Sequence, residues 1–206
     1  MQVREVTGRS VTATARRAQI VAATIETIAE LGYGQASFAR IAERAELSST
    51  RLISYHFSGK DELMRAVIAD VSTEIRAFMS ERLRDLPDQR SALLTYIRSR
   101  VEFIAARRTQ MDALMSIFLE FRGTDDERSY DSASERRTLS YVQDILEAGQ
   151  RSGEFRKFDT FVMASTIERA IDGLPFLLRT APDLDLSSYA AELTTLFDLA
   201  TTGSTP

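Results

Sequence analysis

Three short hydroxyl side chains and an arginine stand in a row at Ser48, Ser49, Thr50 and Arg51, and Ser54, Tyr55, His56 and Lys60 follow within a few residues. Hydroxyls of this kind donate to and accept from base edges and phosphate oxygens. A guanidinium pairs bidentately with guanine, worth about 1–3 kcal/mol of discrimination per good contact. A phenol, an imidazole and an ammonium at the far end suit the clamping of a phosphate backbone. Ser37 and Arg40, a little upstream, stand where neighbouring phosphates would be held. Each residue also has a plainer use: serines cap helices, arginines sit in solvent, tyrosines pack, and Lys60 neutralises Asp61 or Glu62. The clustering favours nucleic acid, because the polar residues alternate with apolar anchors on one short segment.

Those side chains need a rigid element narrow enough for a DNA groove. Ile20, Val21, Thr24, Ile25, Ile28 and Leu31 recur at three and four, which predicts a helix from about Arg16 to Leu31. Gly32 sits where a left-handed cap belongs. Ser37 caps a second helix with a buried stripe of Phe38, Ile41, Ala42 and Ala45. Ala45-Glu46-Leu47 reads as a turn, and Ser48 or Ser49 caps a third helix holding Leu52, Ile53 and Tyr55, with Phe57 as anchor. Ser58 and Asp61 resemble a capping box that opens a long fourth helix along Leu63, Val67, Val71, Ile75, Phe78 and Leu83. Further helices are expected near 88–107, 109–122, 129–151, 159–179 and 186–201. The chain therefore reads as all-α, with about nine helices. Residues 1–14 read as a flexible arm, 15–60 as a helix-turn-helix domain, and 61–206 as a second helical domain.

Composition narrows the partners. Net charge is −4, but residues 1–60 carry +3 and residues 61–206 carry −7. Phosphate affinity follows local charge, so the basic N-terminal part is the one that meets DNA. With no cysteine, disulfides, thiolate metal sites and a Cys-His centre are excluded, and the one histidine, His56, sits inside the helix-turn-helix, which disfavours a Ser-His centre. No catalytic residue, metal or cofactor is expected, and a carboxylate-based hydrolase is the remaining enzymatic reading. No segment approaches the roughly 18 apolar residues of a membrane helix, so a cytoplasmic protein without a membrane partner is expected. The acidic run Asp125, Asp126, Glu127 and Asp131 lacks the spacing of a calcium loop and reads as solvated.

Residues 16 to about 68 resemble the DNA-binding domain of the tetracycline-repressor (TetR) family. The carriers are Gly32 with Ser37, Ile41-Ala42-Glu43-Arg44-Ala45-Glu46-Leu47-Ser48, Tyr55-His56-Phe57 and Lys60-Asp61-Glu62-Leu63. Gly149 and Gly153-Glu154-Phe155 agree as well. Two departures stand out. Glu46 replaces the turn glycine, at a cost of about 1 kcal/mol if that backbone takes a positive φ. Ser48 to Phe57 is one residue longer than the usual spacing.

The resemblance implies a C-terminal domain that dimerises and binds a small molecule, with ligand binding lowering affinity for a palindromic double-stranded operator. Leu186, Tyr189, Leu193, Leu196 and Ala200, and likewise Ile167, Ala170, Ile171, Leu174 and Leu178, suit a homodimer bundle; an intramolecular core fits the same periodicity. Phe103, Met111, Met115, Phe118, Phe121, Tyr141, Phe161 and Met163 suit either a hydrophobic effector pocket or an ordinary core. Glu168, Arg169 and Asp172 interrupt an apolar helix. Facing inward, Arg169 would hold a ligand carboxylate; facing outward, it forms an ion pair. The competing reading is a helical interaction module, or a relic of the regulator fold without specific DNA binding.

Overall fold

The computed structural model describes residues 3–122 and 132–203, and every regular element among them is helical. The elements are α1 (Val3–Leu31), a 3-10 turn (Tyr33–Gln35), α2 (Phe38–Arg44), α3 (Arg51–His56), α4 (Lys60–Arg82), α5 (Gln89–Ala106), α6 (Arg108–Glu120), α7 (Ser132–Ser152), α8 (Thr160–Asp172), α9 (Leu174–Thr180) and α10 (Leu186–Thr202). They form two compact units, residues 1–73 with 109–129 and residues 74–108 with 130–206.

In the first unit α1 packs on α2 and α3. Its apolar stripe of Ile20, Val21, Ile25 and Ile28 is buried. Thr24 and Thr27 are buried there too, and their hydroxyls donate to the carbonyls of Ile20 and Ala23, each at 2.7 Å. α1 begins at Val3, so residues 3–14, read from the sequence as a flexible arm, continue the helix. Extending a packed helix costs far less than nucleating one, and no proline interrupts the segment. The first unit also runs past the 60/61 boundary read from the sequence. Leu63, Met64, Val67 and Val71 of α4 are fully buried, so the first half of that helix belongs to the core beside the short helices.

In the second unit α5 is the central helix, packed against α7, α8, α9 and α10. Three of its helices start on aspartate caps: Asp88, Asp159 and Asp185 accept from backbone N–H groups of the first turn. The single helix expected over 159–179 is two, α8 and α9. Pro175 has no N–H for the ladder and its ring clashes with the preceding turn, so the chain restarts at Leu174. α7 ends at Ser152, just before Gly153, whose φ of +81° favours glycine. Gly149, one turn earlier, is required for another reason: a Cβ there would lie 2.1 Å from the ring of Phe155. The acidic run at 125–131 lies outside the described residues.

Candidate nucleic-acid interface

The turn between α2 and α3 is a Schellman motif. Glu46 N–H donates to the Glu43 carbonyl at 3.1 Å and Leu47 N–H to the Ala42 carbonyl at 2.8 Å. The motif needs a left-handed residue, and Glu46 supplies it at φ +52°. The turn proper is longer than Ala45-Glu46-Leu47. It runs through Thr50, so the additional residue is taken up before α3 begins at Arg51. The N-cap of α3 is Thr50, which makes no side-chain cap bond, rather than Ser48 or Ser49; the Ser49 hydroxyl, one residue earlier, accepts from Arg51 N–H at 3.1 Å.

α3 divides into two faces. Ile53 and the following Phe57 are 0% and 1% exposed and anchor the helix. Ser48, Ser49, Thr50, Arg51, Ser54 and Tyr55 are all exposed, as are Ser37 and Arg40 on and before α2. Tyr55 is 82% exposed, an unusual position for a large ring without a partner surface. Its ring meets His56 edge-on at 5.1 Å. Ser37 caps α2, with its hydroxyl accepting from Arg40 N–H at 3.4 Å. The guanidinium of Arg40 donates to the carbonyl and side chain of Gln35.

One expected phosphate clamp, Lys60, is engaged inside the unit. Lys60 is half-buried and donates to the Tyr33 carbonyl at 3.1 Å, with its ammonium 4.1 Å from the Tyr33 ring. Burial holds its pKa below the usual lysine value. Arg44 is bound by Glu30 and Glu26. The capping partner of Ser58 is Glu62, not Asp61: Ser58 N–H donates to the Glu62 carboxylate at 2.8 Å.

A residue outside the expected set holds the motif together. Arg17 of α1 donates to the His56 carbonyl at 2.5 Å and to Glu62 at 3.0 Å, and its guanidinium lies 4.0 Å above the Phe57 ring. One side chain thus ties α1, the end of α3 and the start of α4. Glu62 is drawn down to about 2, first by its hydrogen bonds with Ser58 and then by Arg17. The sequence carried one signal for Arg17, an arginine interrupting the start of an amphipathic helix, and many solvated arginines share it.

The expected effector residues are divided between the two units. Met111 is buried in α6 and Met115 and Phe118 are half-buried there, while Phe121 meets Tyr33 at 6.0 Å. In the second unit Phe103 is buried and packs edge-on against Phe78 at 5.3 Å. Tyr141 stacks on Tyr96 at 5.6 Å. Met163 is half-buried, but Phe161 stands 56% exposed on α8 and Arg169 points outward, 3.8 Å from Asp172. The expected bundle faces also change roles. Leu186, Leu193, Ile167, Ile171, Leu174 and Leu178 are buried within the unit. Apolar surface is left open at Phe161 and Val162 on α8 and at Leu196 and Leu199 on α10, and to a lesser degree at Tyr141 and at Phe176 and Leu177 on α9. Between α8 and α10 runs an apolar groove of about 380 Å³ lined by Phe158, Val162, Met163, Leu196, Phe197 and Ala200.

Among the described residues no helix is long and apolar enough to cross a membrane, and no cluster of His, Cys, Asp or Glu is placed to hold a metal. Residues 20–67 match the model of the family described as bacterial regulatory proteins, tetR family. The HTH-type transcriptional regulator BetI of Klebsiella pneumoniae is 40% identical over 73 residues, 35% of this chain and 37% of that protein. The match therefore spans little more than a third of that regulator's length. The fold as a whole resembles a tetR-family regulatory protein from Rhodococcus RHA1, with a TM-score of 0.78, 21% identity and coverage of 93% and 98% of the two chains. It also resembles AibR in complex with isovaleryl coenzyme A and operator DNA, with a TM-score of 0.75, 15% identity and coverage of 88% and 97%.

Proposed function

We propose that the chain is a regulator of the tetR family, whose model its residues 20–67 match, and that it acts as a ligand-responsive repressor binding a palindromic operator as a dimer. The observation that carries this reading is the division of α3, with Ile53 and Phe57 sealed inward and Thr50, Arg51, Ser54 and Tyr55 held out in water. A side-chain set of this kind on a short, anchored helix is what entry into a major groove requires.

Dimerisation supplies the second half-site, about 34–36 Å from the first. The open apolar surface of Phe161, Val162, Leu196 and Leu199 suits a self-complementary contact between copies of α8 and α10. Release follows by population shift. An effector that prefers a dimer whose recognition helices are wrongly spaced lowers operator affinity by the ratio of its affinities for the two states. The neighbour solved with isovaleryl coenzyme A and operator DNA supports an effector with a small hydrophobic part. α4 is continuous from residue 60 to 82 and contributes to both units, which suits it to carry the displacement.

The test is fluorescence anisotropy against palindromic fragments from the chain's own upstream region, at several salt concentrations. Specific binding that weakens steeply with salt is expected. Absence of any such binding would leave the interaction module as the better reading.

A further inference from the structure

The second unit buries a group of charges that operator binding does not use. Tyr96 and Arg100 share a face of α5, and Ser165, Glu168 and Asp172 share a face of α8. Glu168 is 0% exposed. Its Oε1 accepts from the Tyr96 hydroxyl at 2.5 Å. Arg100 gives its hydrogen bond to Asp172 at 2.9 Å, and its nearest approach to Glu168 Oε2 is 3.6 Å, too long for a good hydrogen bond. Three buried polar atoms are left without a hydrogen-bond partner in the protein: Glu168 Oε2, Arg100 Nε and Ser165 Oγ.

Buried polar atoms are nearly always paired, because each orphan costs about 1–3 kcal/mol. Two orphans on one ion pair, with a third on the same face of α8, exceed what a purely structural ion pair would leave. Their types define a complement. Glu168 Oε2 needs a donor, Arg100 Nε needs an acceptor, and the Ser165 hydroxyl serves either. Charge narrows the choice further. Arg100 and the surface Arg169 balance Glu168 and Asp172, so an added ion would unbalance the site in a poorly solvated setting. The cluster is not sealed. The side chains of Arg100 and Asp172 keep 12% and 19% of their exposure, and the half-exposed Tyr141 ring stacks on Tyr96 beside them.

We propose that this cluster is a recognition subsite for the effector, taking an uncharged head group that offers a hydrogen-bond donor and an acceptor side by side, with a primary carboxamide as its type. The donor meets Glu168 Oε2, the acceptor meets Arg100 Nε–H, and the tyrosine pair flanks the attached apolar body. This assignment rests on reading the second unit as effector-binding.

Three planar isosteres separate the chemistries: benzamide, benzamidine and benzoate, which are neutral, cationic and anionic. Calorimetric or ligand-observed NMR titration of the full chain should show benzamide binding at least tenfold more tightly than either ion. Glu168→Gln, which places an amide N–H₂ where Oε2 was bare, should weaken benzamide binding about tenfold or more, equivalent to about 1.4 kcal/mol. Ser165→Ala, a small change that keeps the helix, should weaken it severalfold and stands in if Glu168→Gln fails to fold. Equal or tighter binding of either ion overturns the proposal. So does a series in which nothing binds and the variants change thermal stability alone. If isovaleryl coenzyme A releases operator DNA while benzamide does not bind, the subsite falls and the repressor reading stands. If benzamide binds as expected and no operator is ever bound, the reverse holds.

Discussion

α3 and α8 treat their side chains in opposite ways. α3 keeps its polar residues in water and buries Ile53, with Phe57 just beyond it. α8 buries Glu168 completely and leaves Phe161 and Val162 more than half exposed. Both are short amphipathic helices on a packed unit, so propensity does not separate them. On the function proposed above, what separates them is the surface each would meet. A helix that meets nucleic acid keeps hydroxyls and guanidinium groups hydrated until contact. A helix that meets another apolar surface leaves aromatic and branched side chains open, and its charged residue turns inward to other charges.

The sharpest way to break the contrast is at the anchors of α3. Phe57→Ala should cost about 3–5 kcal/mol, as for other large buried aromatics, and unfold the first unit at a temperature where the wild type is intact, read by circular dichroism. Next comes the open face of α8. Val162→Asp combined with Leu196→Asp puts charges on the groove side of both helices and should convert a dimer into monomers by light scattering, with the helical signal retained. A persistent dimer would place the interface elsewhere. On the polar side, Arg51→Ala should weaken operator binding by about 1–3 kcal/mol in anisotropy while leaving melting unchanged. Glu46→Gly relieves a left-handed glutamate and should stabilise the first unit by up to about 1 kcal/mol.

The smallest effect is a dependence on pH. The folded pKa of Glu62 is depressed from 4.5 to about 2. Its stabilising contribution is therefore complete above its ordinary value and is lost as pH falls through that value toward 2. Wild type and Glu62→Gln should differ in melting temperature near neutrality and converge in acid. A constant gap across that range would remove Glu62 from the acid response.

The helix-turn-helix was legible because its signals are local. Gly32, the Ser37 cap, the left-handed position at residue 46 and the anchors Ile53 and Phe57 each act within a few residues of themselves. Arg17 was not legible, since its three partners lie about 40 residues away and no periodicity marks them. The second unit misled in a different manner. Ile167 and Leu193 repeat as an interface stripe does, but periodicity reports only that a face is apolar, not which surface covers it. The burial of Glu168 depends on what α8 packs against, and a single helix's pattern holds no record of that; the break at Pro175 is local and was there to be read.

Tyr55 has a practical consequence as well. The chain contains no tryptophan, so no indole emission competes with one that is introduced. Tyr55→Trp would place a single fluorophore on the outer face of α3, hydrated in the free protein and quenched or blue-shifted once a surface closes over it. The same side chain that exposes its ring to an absent partner would then announce, by colour, the moment that partner arrives.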